Sequence, residues 1–375
     1  MIKKIVFILF LIYSLTIYCD IPYIDINGTA EFTSIQEAIN ASLDGDSLIV
    51  YPGIYYENLD FQSKSLVLAS TYIFTEIDSI INSTIIDGNQ TERCILIEYC
   101  DDAAVIGFTI QNGDAGYNSR GGGIYNDNSS TSIENCKIID NHSTFGGGGI
   151  YNYSSNINLK GNTIAYNYAN YKGGGFHSSS SQEYEIIFDQ EELNNVYLNY
   201  AADAADISFS HNHDTFSVYI DTFTVQEPSC FFAAIPPNIE LVTLNSKIEE
   251  IENDLYVSPD GSDDNNGLTP ENPLQTIAWA QTLIKSDSLN NYKIHLENGI
   301  YSPSLNNQKF PLNTKNYTKI EGESRENTIL DAENQTNIIH SSSRFNLKFF
   351  SYKNVTLTNG YSPYIYSSCI FLKGT

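Results

Sequence analysis

Three groups of residues in this 375-residue chain have the types and spacing to do chemistry. The densest run of oxygen donors is Asp260-Gly261-Ser262-Asp263-Asp264-Asn265-Asn266-Gly267. Hard cations such as Ca²⁺ take roughly six to eight oxygens from loops of this kind, which makes Asp260, Asp263 and Asp264 the candidate metal ligands. Counted from Asp260, Glu271 falls at the twelfth position of an EF-hand loop, but Asn265 stands at the sixth, where the sharp turn needs Gly. The run reads first as a solvated turn before a second cap, with Ca²⁺ as the rival reading. The second group is His211-x-His213 followed by Asp214, two imidazoles on one face of an extended segment; zinc wants a third and fourth ligand, and none is evident. The third is Tyr125-Asn126 with Tyr151-Asn152. Stacked Tyr and Asn suit carbohydrate, so these four are the candidate glycan-binding residues, although outward Tyr is also good strand filler. Asp101-Asp102 falls in an expected turn and reads as surface, and no residue stands out as catalytic.

The elements that must position these groups are set by a repeat. Gly121-Gly122-Gly123-Ile124-Tyr125-Asn126, Gly147-Gly148-Gly149-Ile150-Tyr151-Asn152 and Gly173-Gly174-Gly175-Phe176 recur every 26 residues, and Ile133 to Leu159, Ile138 to Ile164 and Asn141 to Asn167 keep the same step. A fixed period in this range means a solenoid in which each turn packs only on its neighbours. The glycines allow a tight corner and close approach of successive coils. The next apolar residue points inward, and the Asn after Ile-Tyr bonds to turn backbone and to the Asn one coil above. Short strands such as Ser132–Ile138 and Asn156–Lys160 complete each coil. This predicts an all-β parallel β-helix with rungs about 4.8 Å apart.

Composition agrees. Lys plus Arg is 19 against 45 Asp plus Glu, a formal charge of −26. Such a field repels phosphate backbones and anionic lipid, which argues against nucleic-acid partners and suits a soluble protein outside the cell or one holding Ca²⁺. Residues 1–19 read as a secretory signal: Lys3 and Lys4, then apolar Ile5 to Tyr18, too short to span a bilayer, with cleavage near Cys19. A lipid anchor on Cys19 is the rival reading, opposed by bulky Tyr18 where a small residue is needed. No other segment is long and apolar enough to cross a membrane. Of six Cys, five remain after the signal. Cys94 and Cys100 flank an expected strand and either pair in an oxidising compartment or stack as small buried residues, and Cys136 reads as inward-facing.

Along the chain, Phe32 to Ala41 predicts a short capping helix, with Thr33 or Ser34 as N-cap and Glu37 completing a capping box. The first parallel β-helix is expected over 20–182. Residues 183–252 lack the glycine period and read as either its closing part or a small separate β unit. From 253 to 375 the pattern restarts: Leu274 to Ala280 matches Phe32 to Ala38, Gly299-Ile300-Tyr301 matches Gly53-Ile54-Tyr55, Asn327 to Asp331 matches Ser83 to Asp87, and Val355 to Gly360 matches Phe108 to Gly113, at offsets of 242, 246, 244 and 247. This is read as an internal duplication whose second copy stops where the first begins its glycine ladder, the front of a longer protein.

The segments TSIQEAINAS, STIIDGNQT, GFTIQNG and GGGIYN resemble secreted bacterial right-handed parallel β-helix repeat proteins of the pectin-lyase-like superfamily, and LYVSPDGSDDNNGLTPENPLQTI resembles the start of DUF1565-type members. The glycine ladder is also similar to that of polymorphic outer-membrane proteins, without their Phe-x-x-Asn motif. The resemblance covers most of residues 25–180 and 253–360. It implies a non-catalytic exported protein of the bacterial cell surface, glycan-binding or adhesin-like, with a polysaccharide or cell-surface glycan as partner; no cofactor is required, and Ca²⁺ on the acidic run is the one candidate. Such proteins often carry a C-terminal sorting domain. The alternative it implies is a polysaccharide lyase or glycoside hydrolase. However, the sequence lacks Gly-His-Gly with paired Asp, Asp-Pro-His-Asp and Arg-x-Pro-x-x-Arg. A lyase would carry a basic residue beside a carboxylate cluster on one sheet; an inert wall would carry only Asn, Tyr, Ser and apolar residues.

Overall fold

Stacking of like on like organises the chain. A computed structural model of the protein describes residues 22–116, 119–180, 184–210, 216–235, 239–313, 315–340 and 349–361. The described residues form an all-parallel β-solenoid of about 12 turns, with 9% helix. The expected signal, residues 1–19, and the His211-x-His213-Asp214 group lie outside the described residues.

In the first stack each coil contributes a strand to three parallel sheets of seven, seven and eight strands, and a fourth, three-stranded sheet forms one flank. The glycine ladder builds the second sheet. Ile124, Ile150, Phe176 and Ile207 are successive register partners, all fully buried in one interior column. Burying each such side chain contributes about 1.5–3 kcal/mol. Gly121, Gly147 and Gly173 turn the corner at φ of 64°, 60° and 53°, and a Cβ on Gly122 would lie 2.2 Å from the His142 carbonyl of the opposing segment.

The ladder does not stop at Gly175. Strands Ile186–Phe188, Asn194–Tyr197 and Ile207–Ser210 extend the same three sheets, so the described residues between 184 and 246 continue the first stack. Asp203 pairs with Lys172, and Ile207 with Phe176, so Ala204-Ala205-Asp206 occupies the place of the next glycine triplet. Ala204 takes the left-handed corner at φ 53°, a strain of roughly 1–2 kcal/mol for a residue with a Cβ.

Inside the stack, Asn side chains form a continuous column. Asn141 Nδ2 donates to Asn167 Oδ1 at 3.0 Å, and Asn167 Nδ2 to Asn199 Oδ1 at 3.0 Å. The backbone N–H groups of Asn141 and Asn167 donate to the same oxygens at 3.1 and 3.0 Å. The column ends on Asp206, whose Oδ1 accepts from Asn199 N at 3.1 Å and Nδ2 at 2.9 Å, while Thr224 Oγ1 in the next rung accepts from Leu198 N at 2.6 Å. A second interior pair, Asn162 and Asn194, repeats the arrangement at 3.0 Å.

The first cap helix is Ile35–Ala41, N-capped by Ser34, whose Oγ accepts from Glu37 N at 3.2 Å. Glu57, from outside the helix, braces the same start: its carboxylate accepts from Ser34 Oγ, Ile35 N and Gln36 N at 2.8–3.0 Å. The second stack has its own core around Leu255, Ile277, Ile294, Tyr301 and Leu330, and its own cap helix, Ile277–Leu283. Corresponding bonds recur in it: Tyr55 Oη donates to Tyr51 O at 3.0 Å, and Tyr301 Oη to Glu297 O at 2.9 Å.

The second stack lies against the flank of the first. Tyr168 Oη donates to Phe310 O at 2.6 Å, Tyr200 Oη to Pro311 O at 2.9 Å and Asn313 Nδ2 to Ala201 O at 2.6 Å. Lys315, with a side chain only 1% exposed, pairs at 2.6 Å with Glu250 of the segment that connects the two stacks.

Burial raises the Asp206 carboxyl from 3.8 to about 7. Between those values the folded chain keeps a proton that the unfolded chain has released, so this residue's contribution to stability falls as pH rises through that window. Asp206→Asn keeps the acceptor and removes the charge. The variant is expected to have a flatter Tm profile across this range and a higher Tm than the parent at alkaline pH; identical profiles would contradict the assignment.

Candidate functional site

Strand alternation decides where the candidate glycan residues go. In Ile124–Asp127 and Ile150–Tyr153 the Ile and Asn face inward. Asn126 and Asn152 are 0% and 1% exposed, and Asn126 Nδ2 donates to Asn152 Oδ1 at 2.8 Å. Asn152 Nδ2 donates to Ser178 Oγ on the next rung at 3.1 Å, so both amides serve the rung-to-rung column. Tyr125 and Tyr151 do form a file, with ring centroids 5.7 Å apart and His177 5.0 Å beyond Tyr151. It is a covered file: Tyr125 is 9% and Tyr151 1% exposed. Arg93 lies 4.7 Å over Tyr125, and Arg120 lies 5.0 Å over Phe145 and 5.3 Å over Tyr151. Residues at the corners before the glycines fold back across the outer face and roof these rings, so a glycan would meet the Arg-Phe roof first.

The acidic loop has a structural job. Asp263 Oδ1 accepts from Gln275 N and Thr276 N at 2.9 Å, and Oδ2 accepts from Thr276 Oγ1 at 2.8 Å. Thr276 is the N-cap of the second cap helix, so Asp263 braces the start of that helix as Glu57 braces the first. Asp260 and Asp264 sit in turns, their N–H groups bonded to Ser258 Oγ and Ser262 Oγ at 3.3 Å. Among the described residues, no three His, Cys, Asp or Glu side chains gather as a metal site.

Among the described residues the cysteines are buried stacking residues: Cys94, Cys100 and Cys136 are free thiols, and Cys230 is buried as well. Burial pushes the Cys94 and Cys136 thiols up to about 12 and Cys100 to about 11, which makes all three poor nucleophiles. Asp101 and Asp102 lie exposed in a turn, their N–H groups bonded to Ser65 Oγ.

The groups that do converge lie on the outer face of the second stack. Tyr256, His295, Glu321 and Lys353 are register partners on four successive strands and form one column. The Tyr256 and His295 rings stack at 4.9 Å and 18°. Asp254 Oδ2 lies 3.0 Å from His295 Nε2 and fixes the ring. Glu321 accepts from Lys353 at 2.7 Å and Lys293 at 3.4 Å, and Lys353 above all holds its carboxyl below the usual Glu range. Glu297, Glu323 and Asn354 complete a groove of about 530 Å³. The members are unevenly spaced in sequence, so no period marks them; the alternating strand Lys293–Leu296 was the available signal.

The chain matches no family model, and no curated protein matches it at a significant level. Among the described residues, no helix is long and apolar enough to cross a membrane.

Asp263→Ala removes a helix brace and is expected to destabilise the chain by about 1–2 kcal/mol, the scale of a lost N-terminal cap. Thermal unfolding with Ca²⁺ and with a chelator checks the role. The loss should be equal in both; a loss seen only with Ca²⁺ would restore the loop as a metal site.

Proposed function

We propose that this chain is a non-catalytic, exported β-helix protein of a bacterial cell surface that binds glycan along the outer wall of its solenoid. The observation that carries the reading is the column Tyr256–His295–Glu321–Lys353. Register stacking repeats an aromatic face, donors and acceptors at the rung spacing of about 4.8 Å, and a polymer of repeating sugars suits such a track. The charged-then-apolar opening of the sequence supports export. The glycine ladder and the DUF1565-like segment support membership of the pectin-lyase-like superfamily, with right-handed coils.

One observation favours the second reading, a polysaccharide lyase or glycoside hydrolase. His295, oriented by Asp254, stands in the same groove as Glu297, Glu321 and Glu323, a basic residue beside carboxylates on one sheet. Against it, Glu321 is tied between two lysines and does not stand free as a general acid or nucleophile.

A glycan array, followed by incubation of the same protein with polygalacturonate, alginate and any glycan retained, separates the two. Retention without unsaturated product or new reducing ends is expected, weakened by Glu321→Ala. Product formation that His295→Ala abolishes would overturn the non-catalytic reading in favour of the enzyme.

A further inference from the structure

Docking of the second stack on the flank of the first leaves a cleft of about 480 Å³ between them, within the size range of small-molecule sites. Its walls come from different parts of the chain. At the corner after the third sheet, Asp140, Tyr166 and Leu198 occur with φ of 54°, 60° and 54°, and Tyr166 lines the cleft 47% exposed. The opposite wall is the second cap helix. There Ile277, Ala278 and Ala280 are buried, while Trp279 and Thr282, three residues apart on one helical face, line the cleft. Tyr200 forms part of the floor, fixed by its hydroxyl bond to Pro311 O. Gln275, Asn307 and Lys309 supply hydrogen-bonding groups at the rim.

We propose that this cleft binds a segment of neutral oligosaccharide, its sugar rings stacked on Tyr166 and Trp279 and its hydroxyls bonded at the rim. The inference rests on the glycan reading and adds a second, uncharged contact to it. A pyranose has an apolar C–H face that packs on an aromatic ring and a belt of hydroxyls that needs polar partners at its edge. Rings held by packing lose little entropy on binding. Charge selects the class: the Lys309 ammonium shares the cleft with the Asp263 carboxylate, and the chain carries −26, so an acidic sugar polymer is repelled.

Trp279 is the only Trp in the chain, so its emission reports on this cleft. The full chain is titrated with short neutral oligosaccharides of glucose, mannose, galactose and xylose, and with oligogalacturonate. A saturable change in Trp279 emission with a neutral sugar, absent with oligogalacturonate, is expected. Tyr166→Ala should weaken that binding about tenfold, the scale of one lost aromatic contact. Tyr99→Ala, at a ring 63% exposed outside the cleft, should leave it unchanged. Trp279→Phe, followed by calorimetry, should retain binding and guards against misfolding of the truncation variant. Glycan binding that is lost in Glu321→Ala but indifferent to Tyr166→Ala would overturn the cleft while sparing the glycan reading. No binding to any glycan would overturn both.

Discussion

The structure depends on one constraint: a buried side-chain amide has two donors and an acceptor that water cannot reach, and each must be met. Asn141 and Asn167 each donate to the like residue one rung on, and the amides of Asn141, Asn167 and Asn199 each also donate to a carbonyl of the wall, Ile110, Ile138 and Ile164 in turn. A slip of one residue would break these bonds and turn the inward Ile column to solvent. Asp206 shows how strict the demand is. With Thr224 in the next rung, a side chain from a different corner reaches in to accept the two Asn199 bonds, at the expense of burying a carboxyl.

What could be read from the sequence follows from this. The constant step of 26 residues marks rungs with equal corners, and it placed Ile124, Ile150 and Phe176 in one column before any coordinates. The same step failed at the next rung, where longer corners follow Ser179 and Phe188 and Ala204-Ala205-Asp206 replaces glycine; the fold went on although the signature ended. The Asn ladder was legible because Asn recurs with the period. Burial of Tyr125 and Tyr151 was not, because Arg93, Arg120 and Phe145 roof them from corners, and a strand pattern does not show where a corner side chain lies.

The site residues divide in the same way. Asp263 attracted notice as one of several clustered oxygens, yet its oxygens serve a helix start, a use that composition cannot separate from metal binding. Tyr256, His295, Glu321 and Lys353 share a wall only because strands of unequal spacing pair in register. The cleft depends on a still less local event, the lateral docking of two stacks through the Tyr168 and Tyr200 hydroxyls. Function on a solenoid is thus written in the outward columns and the junction, while the repeat that identifies the fold is written in the inward ones.

The most direct test of the ladder is a double-mutant cycle on Asn141→Ala and Asn167→Ala, read by equilibrium unfolding. Residues sharing one buried hydrogen-bond network should couple by about 0.5–3 kcal/mol, so the double variant should lose clearly less stability than the two single losses added together. Strict additivity would mean that the two side chains do not meet, and the in-register solenoid would be contradicted at its centre.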